Sequence, residues 1–201
     1  GRTQLQDAVP IRLGQEFHSY ATAIRRDINR FDRAKDEMRN LNLGGTAIGT
    51  GLNADVQYFQ RVVKNISLIS GLELVQAYDL IDATQNLDGY CACSGITKSC
   101  AVNLSKMSND LRLMSSGPRT GLGEINLPAK QNGSSIMPGK VNPVIPEVVN
   151  QVAFNVIGND MSVTMAAEAG QLELNAFEPI IFYKLFQSIE TISSAVRTLV
   201  D

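Results

Sequence analysis

The stretch from residue 148 to about 169 constrains the fold of this chain more than any other. Its apolar positions, Val148, Val149, Val152, Ala153, Phe154, Val156 and Ile157, cover well over half a helical turn. One neighbouring helix can cover only a single stripe, so such a helix needs burial on several sides. Three more long runs show steps of three and four. The first covers residues 11 to about 40, with Leu13, Phe17, Tyr20, Ala21, Ile24, Ile28, Phe31, Ala34, Met38 and Leu41. The next covers about 86 to 115, with Leu87, Tyr90, Cys93, Ile96, Cys100, Leu104, Met107, Leu111 and Met114. The last opens at Phe177 and Pro179 and runs through Ile181, Leu185, Ile189, Ile192, Val196 and Leu199. Four long helices predict an all-α, long-helix bundle. Apolarity on more than one side of two of them predicts that bundles from several chains pack together.

The connecting segments supply the stops. Asp7 is expected to cap the first long helix, with Pro10 in its opening turn. Its Arg- and Asp-rich face (Arg25, Arg26, Asp27, Arg30, Asp32, Arg33) reads as solvated, and His18 lies off the apolar centre. Gly44 to Gly51 is glycine-rich but lacks the Gly-Lys-Ser/Thr ending of a phosphate loop, which favours a turn of close chain approach. A shorter helix is predicted over 56–70, capped by Asn53 or Asp55 and ended by Gly71. Residues 72–77 read as irregular, and 79–84 as a brief helical turn. Gly158 inside the third long helix predicts a close contact there.

Composition excludes broad classes. The chain has 201 residues, a formal net charge of −2, 44% hydrophobic and 19% charged residues. No basic field suggests nucleic acid, and no apolar run reaches the length that spans a membrane. Three cysteines, Cys91, Cys93 and Cys100, fit reduced thiols in a cytoplasmic protein better than a disulfide framework. The single histidine rules out a multi-His metal site, and the Cys91/Cys93 pair lacks further ligands nearby. No metal and no cofactor are expected.

Chemistry concentrates between Gly133 and Pro146, which reads Gly-Ser-Ser-Ile-Met-Pro-Gly-Lys-Val-Asn-Pro-Val-Ile-Pro. Glycines and prolines shape the backbone here. Ser134 and Ser135 bring hydroxyls, Lys140 an ammonium and Asn142 an amide. A loop built this way can turn backbone N–H groups, hydroxyls and a cation towards one small anion. The plainer alternative is a surface loop that happens to carry serine and lysine.

The string Gly-Ser-Ser-x-Met-Pro-x-Lys-x-Asn-Pro resembles the signature of the fumarase/aspartase superfamily, lyases that eliminate across a carbon–carbon bond to give fumarate. The flanks, Gly121-Leu-Gly-Glu-Ile-Asn-Leu-Pro before it and Pro146-Glu-Val-Val-Asn-Gln-Val after it, are most similar to the aspartase branch. The likeness extends from Gly1-Arg-Thr-Gln-Leu-Gln-Asp-Ala-Val-Pro to the last helix. It implies that residues 1–201 form the central helical domain of such a lyase, assembling as a homotetramer whose central helices merge into one large bundle. Superfamily members are considerably longer than this chain. They carry further carboxylate-binding segments in a preceding domain, have a C-terminal domain, and build each site where three subunits meet. The expectation is therefore a central fragment, inactive alone.

The implied reaction is loss of ammonia from L-aspartate to give fumarate. A base removes a proton next to the β-carboxylate, and the resulting enediolate needs its charge stabilised. The resemblance assigns the base to Ser134. Lys140, Asn142 and loop N–H groups are suited to the developing charge, and Ser135 and Thr3 to carboxylate binding. Gln4 stands where fumarases have His. Glutamine cannot carry a proton in catalysis but can bond a carboxylate or ammonium, which favours aspartate over malate. Glu147 matches an acidic position that pairs with that His in fumarases; with Gln4 present its role stays open. The alternatives are a fumarase acting on L-malate and a non-catalytic helical oligomerisation module.

Overall fold

A computed structural model describes residues 1–201. The chain begins with a hairpin of two short strands, β1 (Arg2–Thr3) and β2 (Gln6–Asp7). Then follow α1 (Leu13–Glu37), β3 (Asn40–Leu41), α2 (Val56–Ser70), β4 (Val75–Gln76), α3 (Asp82–Gln85), α4 (Asp88–Met114), α5 (Val144–Glu168) and α6 (Glu178–Val200). The four long helices lie where the periodicity places them, and the bundle is helical as expected. The small strands were not foreseen: β1 pairs antiparallel with β2, and β3 parallel with β4, so part of the irregular stretch 72–77 is a strand.

The long helices pack antiparallel in the order α1–α4–α5–α6. Cross-links along the seams define the register: Asp27 with Asn103 between α1 and α4, Ser94 with Asp160 between α4 and α5, and Asn159 with Ser188 between α5 and α6. The main core joins Cys100, Ala101 and Leu104 of α4 to Val149, Ala153 and Val156 of α5 and Ile192 and Ala195 of α6. Ile24 and Phe31 of α1 pack against it. A second cluster at the far end holds Leu87, Val163, Ala166 and Ile181. No helix is long and apolar enough to cross a membrane.

Local chemistry explains most boundaries. Asp55 caps α2 through its carboxylate, which accepts from Gln57 and Tyr58 N–H, and Gly71 closes the helix with φ +70°. Gly49 is a very close approach: a Cβ there would sit 2.4 Å from the Ile81 backbone, so the glycine-rich stretch is a packing turn. The N-terminus of α1 departs from expectation. Asp7 lies in β2, and Arg12 is the capping residue, its N–H donating to Gln15 Oε1 at 3.0 Å. The third long helix starts earlier than the sequence suggests, at Val144, because Pro146 in the first turn needs no N–H partner. A Cβ at Gly158 would meet nothing within 4 Å, so the close contact expected there is not found.

Asp27 corrects the reading of α1. It is 2% exposed, not solvated. Asn103 Nδ2 donates to both of its oxygens, at 3.0 and 2.8 Å, and Arg30 pairs with it at 2.6 Å. The two donors compensate the carboxylate's lost hydration, which is the condition for burying such a group. His18 is exposed. The three cysteines are free. Burial raises the Cys93 thiol pKa and pushes Cys100 up to about 12, with Asp27 adding to the latter.

Two outcomes follow for the folded protein. Ile181, fully buried, should cost about 2–5 kcal/mol on truncation to Ala, read as a shift of the urea midpoint at constant slope. Iodoacetamide at pH 8 should leave Cys93 and Cys100 unlabelled until denaturant is added, since a protonated, enclosed thiol is a poor nucleophile.

Candidate active site

Antiparallel packing gathers the start of α1, the end of α4, the start of α5 and the end of α6 at one end of the bundle. Both stretches singled out in the sequence emerge there. The hairpin with Thr3 and Gln4 precedes α1, and the loop with Ser134, Ser135, Lys140 and Asn142 leads into α5.

The loop is drawn closed by its own backbone. Ser134 N–H donates to Lys140 C=O at 3.1 Å, and Lys140 N–H donates to Met137 C=O at 3.1 Å. Gly139 takes φ +84°, which an L side chain resists. Within this ring Met137 N–H donates to Ser134 Oγ at 3.2 Å. That bond does two things at once. It shapes the turn, as serine hydroxyls do, and it directs a donor at the oxygen that would carry negative charge if Ser134 were deprotonated. Ser134 is half-buried while Ser135 and Lys140 are exposed. Lys140 forms no ion pair within the chain, so its ammonium is free for an anion. Asn142 is half-buried immediately before α5.

Thr3 and Gln4 are exposed at the hairpin tip. Gln4 has φ +52° and Leu5 φ +63°, the pair of left-handed residues that a two-residue hairpin turn demands and that Asn-Gly usually supplies. A non-glycine residue held there costs about 1–3 kcal/mol, and such residues cluster at functional sites. The chain brings the two stretches to one end, and no hydrogen bond joins the hairpin to the Ser134 loop. Below the hairpin lies a groove of about 420 Å³, lined among others by Gln4, Glu16, Tyr20, Lys106 and Asp110. Tyr20 donates its hydroxyl to Asp110 at 2.9 Å, and Lys106 pairs with the same carboxylate. Burial first, then the Asp110 bond, raises the Tyr20 phenol pKa.

Glu147 lies in the first turn of α5, where a carboxylate favours the helix dipole, with Arg112 Nη2 at 3.7 Å. Arg112 also donates to Asn150 at 3.3 Å, tying the end of α4 to the start of α5. No three His, Cys, Asp or Glu side chains converge in a way that could hold a metal ion.

One feature of this end escaped the sequence reading. Arg2 and Glu124 form a two-pronged ion pair, Nη1 to Oε2 at 3.0 Å and Nη2 to Oε1 closer still. Arg2 lies in the hairpin and Glu124 in the flank that precedes the Ser134 loop, 122 positions apart. Opposite charges in two such stretches are the only signal the sequence offers, and no local rule pairs them. The hydrogen bond from Arg2, reinforced by its charge, holds the Glu124 carboxyl below the usual carboxylate value.

Comparison with known proteins shows the family and supports the fold. The family model described as "Lyase" matches residues 1–158. The chain is 57% identical over its whole length to an aspartate ammonia-lyase of Bacillus subtilis, covering 42% of that protein. A solved fumarate lyase:delta crystallin from Brucella melitensis, bound to cobalt, superposes with a TM-score of 0.97 at 56% identity, over 100% of this chain and 44% of that one. A class II fumarase from Schistosoma mansoni gives a TM-score of 0.94 at 34% identity, over 100% and 45%. The chain belongs to this lyase family. It spans less than half the length of the curated relatives it matches.

A depressed carboxyl pKa in the folded state contributes stability above the unfolded value and loses it as pH falls through the folded one. The Arg2–Glu124 contact should therefore persist through pH 4.5, the ordinary value, and fail only in more acid solution. A carbon-13 NMR titration of the Glu124 carboxyl should show a midpoint below 4.5 that returns towards it in Arg2→Ala.

Proposed function

We propose that the intact protein to which this chain corresponds eliminates ammonia from L-aspartate to give fumarate, with residues 1–201 as its central helical-bundle domain. The observation that carries this reading is the closed Ser134–Lys140 loop, which aims a backbone donor at Ser134 Oγ and leaves the Lys140 ammonium unpaired. The similarity to aspartate ammonia-lyases supports the choice of substrate.

In this reading Ser134 removes the proton from the carbon next to the β-carboxylate. The carbon–hydrogen electron pair moves into that carboxylate as an enediolate with two negative charges. Lys140, Asn142 and loop N–H groups hold that charge as it develops. The electrons then return to form the carbon–carbon double bond, the carbon–nitrogen bond breaks, and ammonia leaves with its electron pair. Ser135 and Thr3 hold carboxylate oxygens through their hydroxyls. Gln4, at the strained hairpin tip, hydrogen-bonds carboxylate or ammonium without itself transferring a proton.

The same reading makes the working form a homotetramer of a cytoplasmic enzyme. The outer side of α5 supports assembly: Phe154, Met161 and Met165 are each more than 60% exposed, on the face opposite the core. Phe186 and Tyr183 of α6 are exposed to a similar degree. Large exposed apolar side chains grouped along a helix in this way support association. Each site would then draw on more than one subunit and on segments beyond residues 1–201, and these residues alone would be inactive.

Fumarate absorbance should appear when the intact protein is given L-aspartate and not when it is given L-malate. Fumarate from malate alone would instead support a fumarase, and fumarate from neither a helical assembly module. Ser134→Ala should lower kcat by about 10²–10⁴ while sedimentation shows the same oligomer. Phe154→Asp should do the opposite first, dissociating the oligomer before any effect on α-helix content.

A further inference from the structure

The hairpin that presents Thr3 and Gln4 has an unfavourable shape and little support. Every residue from Gly1 to Pro10 is exposed. Each strand has two residues, and a lone two-stranded ribbon of that size is not stable in water. Its turn places two non-glycine residues, Gln4 and Leu5, at positive φ. An open groove lies beneath it. Among the side chains of residues 1–10, only Arg2 forms a hydrogen bond or ion pair with the remainder of the chain, and its partner is Glu124.

Glu124 is well placed to anchor the hairpin because its own backbone is fixed. Its N–H donates to Met114 C=O at 2.8 Å, Gly123 N–H donates to Ser116 C=O at 2.7 Å, and Leu122 N–H donates to Ser116 Oγ at 3.0 Å. Position 124 is thus tied to the last turn of α4, upstream of Ser134 in the same connection. A guanidinium meeting a carboxylate with two parallel bonds fixes orientation as well as distance, which a lysine ammonium does not.

We infer that Arg2 and Glu124 are a positioning pair for the elimination reaction: their fork ties the strained Gln4–Leu5 turn, with Thr3 beside it, to the end of α4 and sets its orientation before substrate arrives. Neither residue touches substrate in this account. They act through Thr3 and Gln4, and their loss displaces the turn instead of removing a reacting group.

The inference rests on the proposed aspartate reaction for its kinetic readout, and amide hydrogen exchange supplies a second readout free of that reaction. In the intact protein, Arg2→Ala and Glu124→Gln should each lower kcat/KM for L-aspartate by about 10- to 100-fold, the cost of a small misplacement, with most of the change in KM. The thermal midpoint and oligomeric state should hold. The double variant should be no worse than the poorer single one, and the reversed pair Arg2→Glu with Glu124→Arg should recover part of the loss. Arg2→Lys should fall between wild type and Arg2→Ala. Exchange across residues 2–7 should quicken in each single variant while α4 and α5 stay protected. Variants with wild-type kinetics, beside a wild-type protein that turns over aspartate, would overturn the inference, as would unchanged exchange in the hairpin. A wild-type protein that leaves aspartate untouched would refute the proposed reaction instead, and the exchange data alone would then decide whether the pair holds the hairpin.

Discussion

The antiparallel contact between α4 and α5 fixes where everything else in the chain can lie. Small residues on α4, among them Ala101 and Ser94, face Val149, Ala153, Val156 and Asp160 on α5. Their size lets the two backbones close in. Along the seam, polar side chains that would be costly to bury alone are matched: Ser94 and Lys98 with Asp160, Ser105 with Asn150, Arg112 with Asn150 and Glu147. Antiparallel packing then makes one end of the bundle the meeting place of the α4 exit and the α5 entrance. The long connection between them must begin and finish at that end, and so must the Ser134 loop it contains.

Much of this was legible because the governing rules are local. Steps of three and four, Gly71 after α2, Asp55 before it and Pro179 at the head of α6 report their own surroundings. The loop chemistry was legible for the same reason, since Ser134, Ser135, Lys140 and Asn142 fall within one short stretch. What escaped depended on partners far away in the sequence. Asp27 reads as a surface charge until Asn103, 76 positions on, arrives to bind it. Arg2 has no evident partner in its own stretch until Glu124 is opposite. The strand at Val75–Gln76 exists because Asn40–Leu41 passes alongside. Gly158 shows the converse: its local cost predicts a close contact, yet a Cβ there would stand in open space.

The two halves of the candidate site differ in how they hold their shape. The Ser134 loop is self-contained, with three backbone donors spent on its own acceptors and a glycine at its sharpest bend. The Gln4–Leu5 turn is not, for it keeps two ordinary residues in left-handed backbone and leans on Glu124, beyond the end of α4, through one ion pair. A site assembled from one self-supporting part and one braced part concentrates its sensitivity in the brace.

The matched polar groups between α4 and α5 also act as a key with unequal notches. Asp160 fits opposite Ser94 and Lys98, and Asn150 opposite Ser105. If α5 slid by one turn, about 5.4 Å, each of these pairings would be broken. Greasy side chains would tolerate that slip far better. The polar notches therefore define the length of the gap that residues 115–143 must bridge, and through it the height at which Ser134 and Lys140 stand above the bundle.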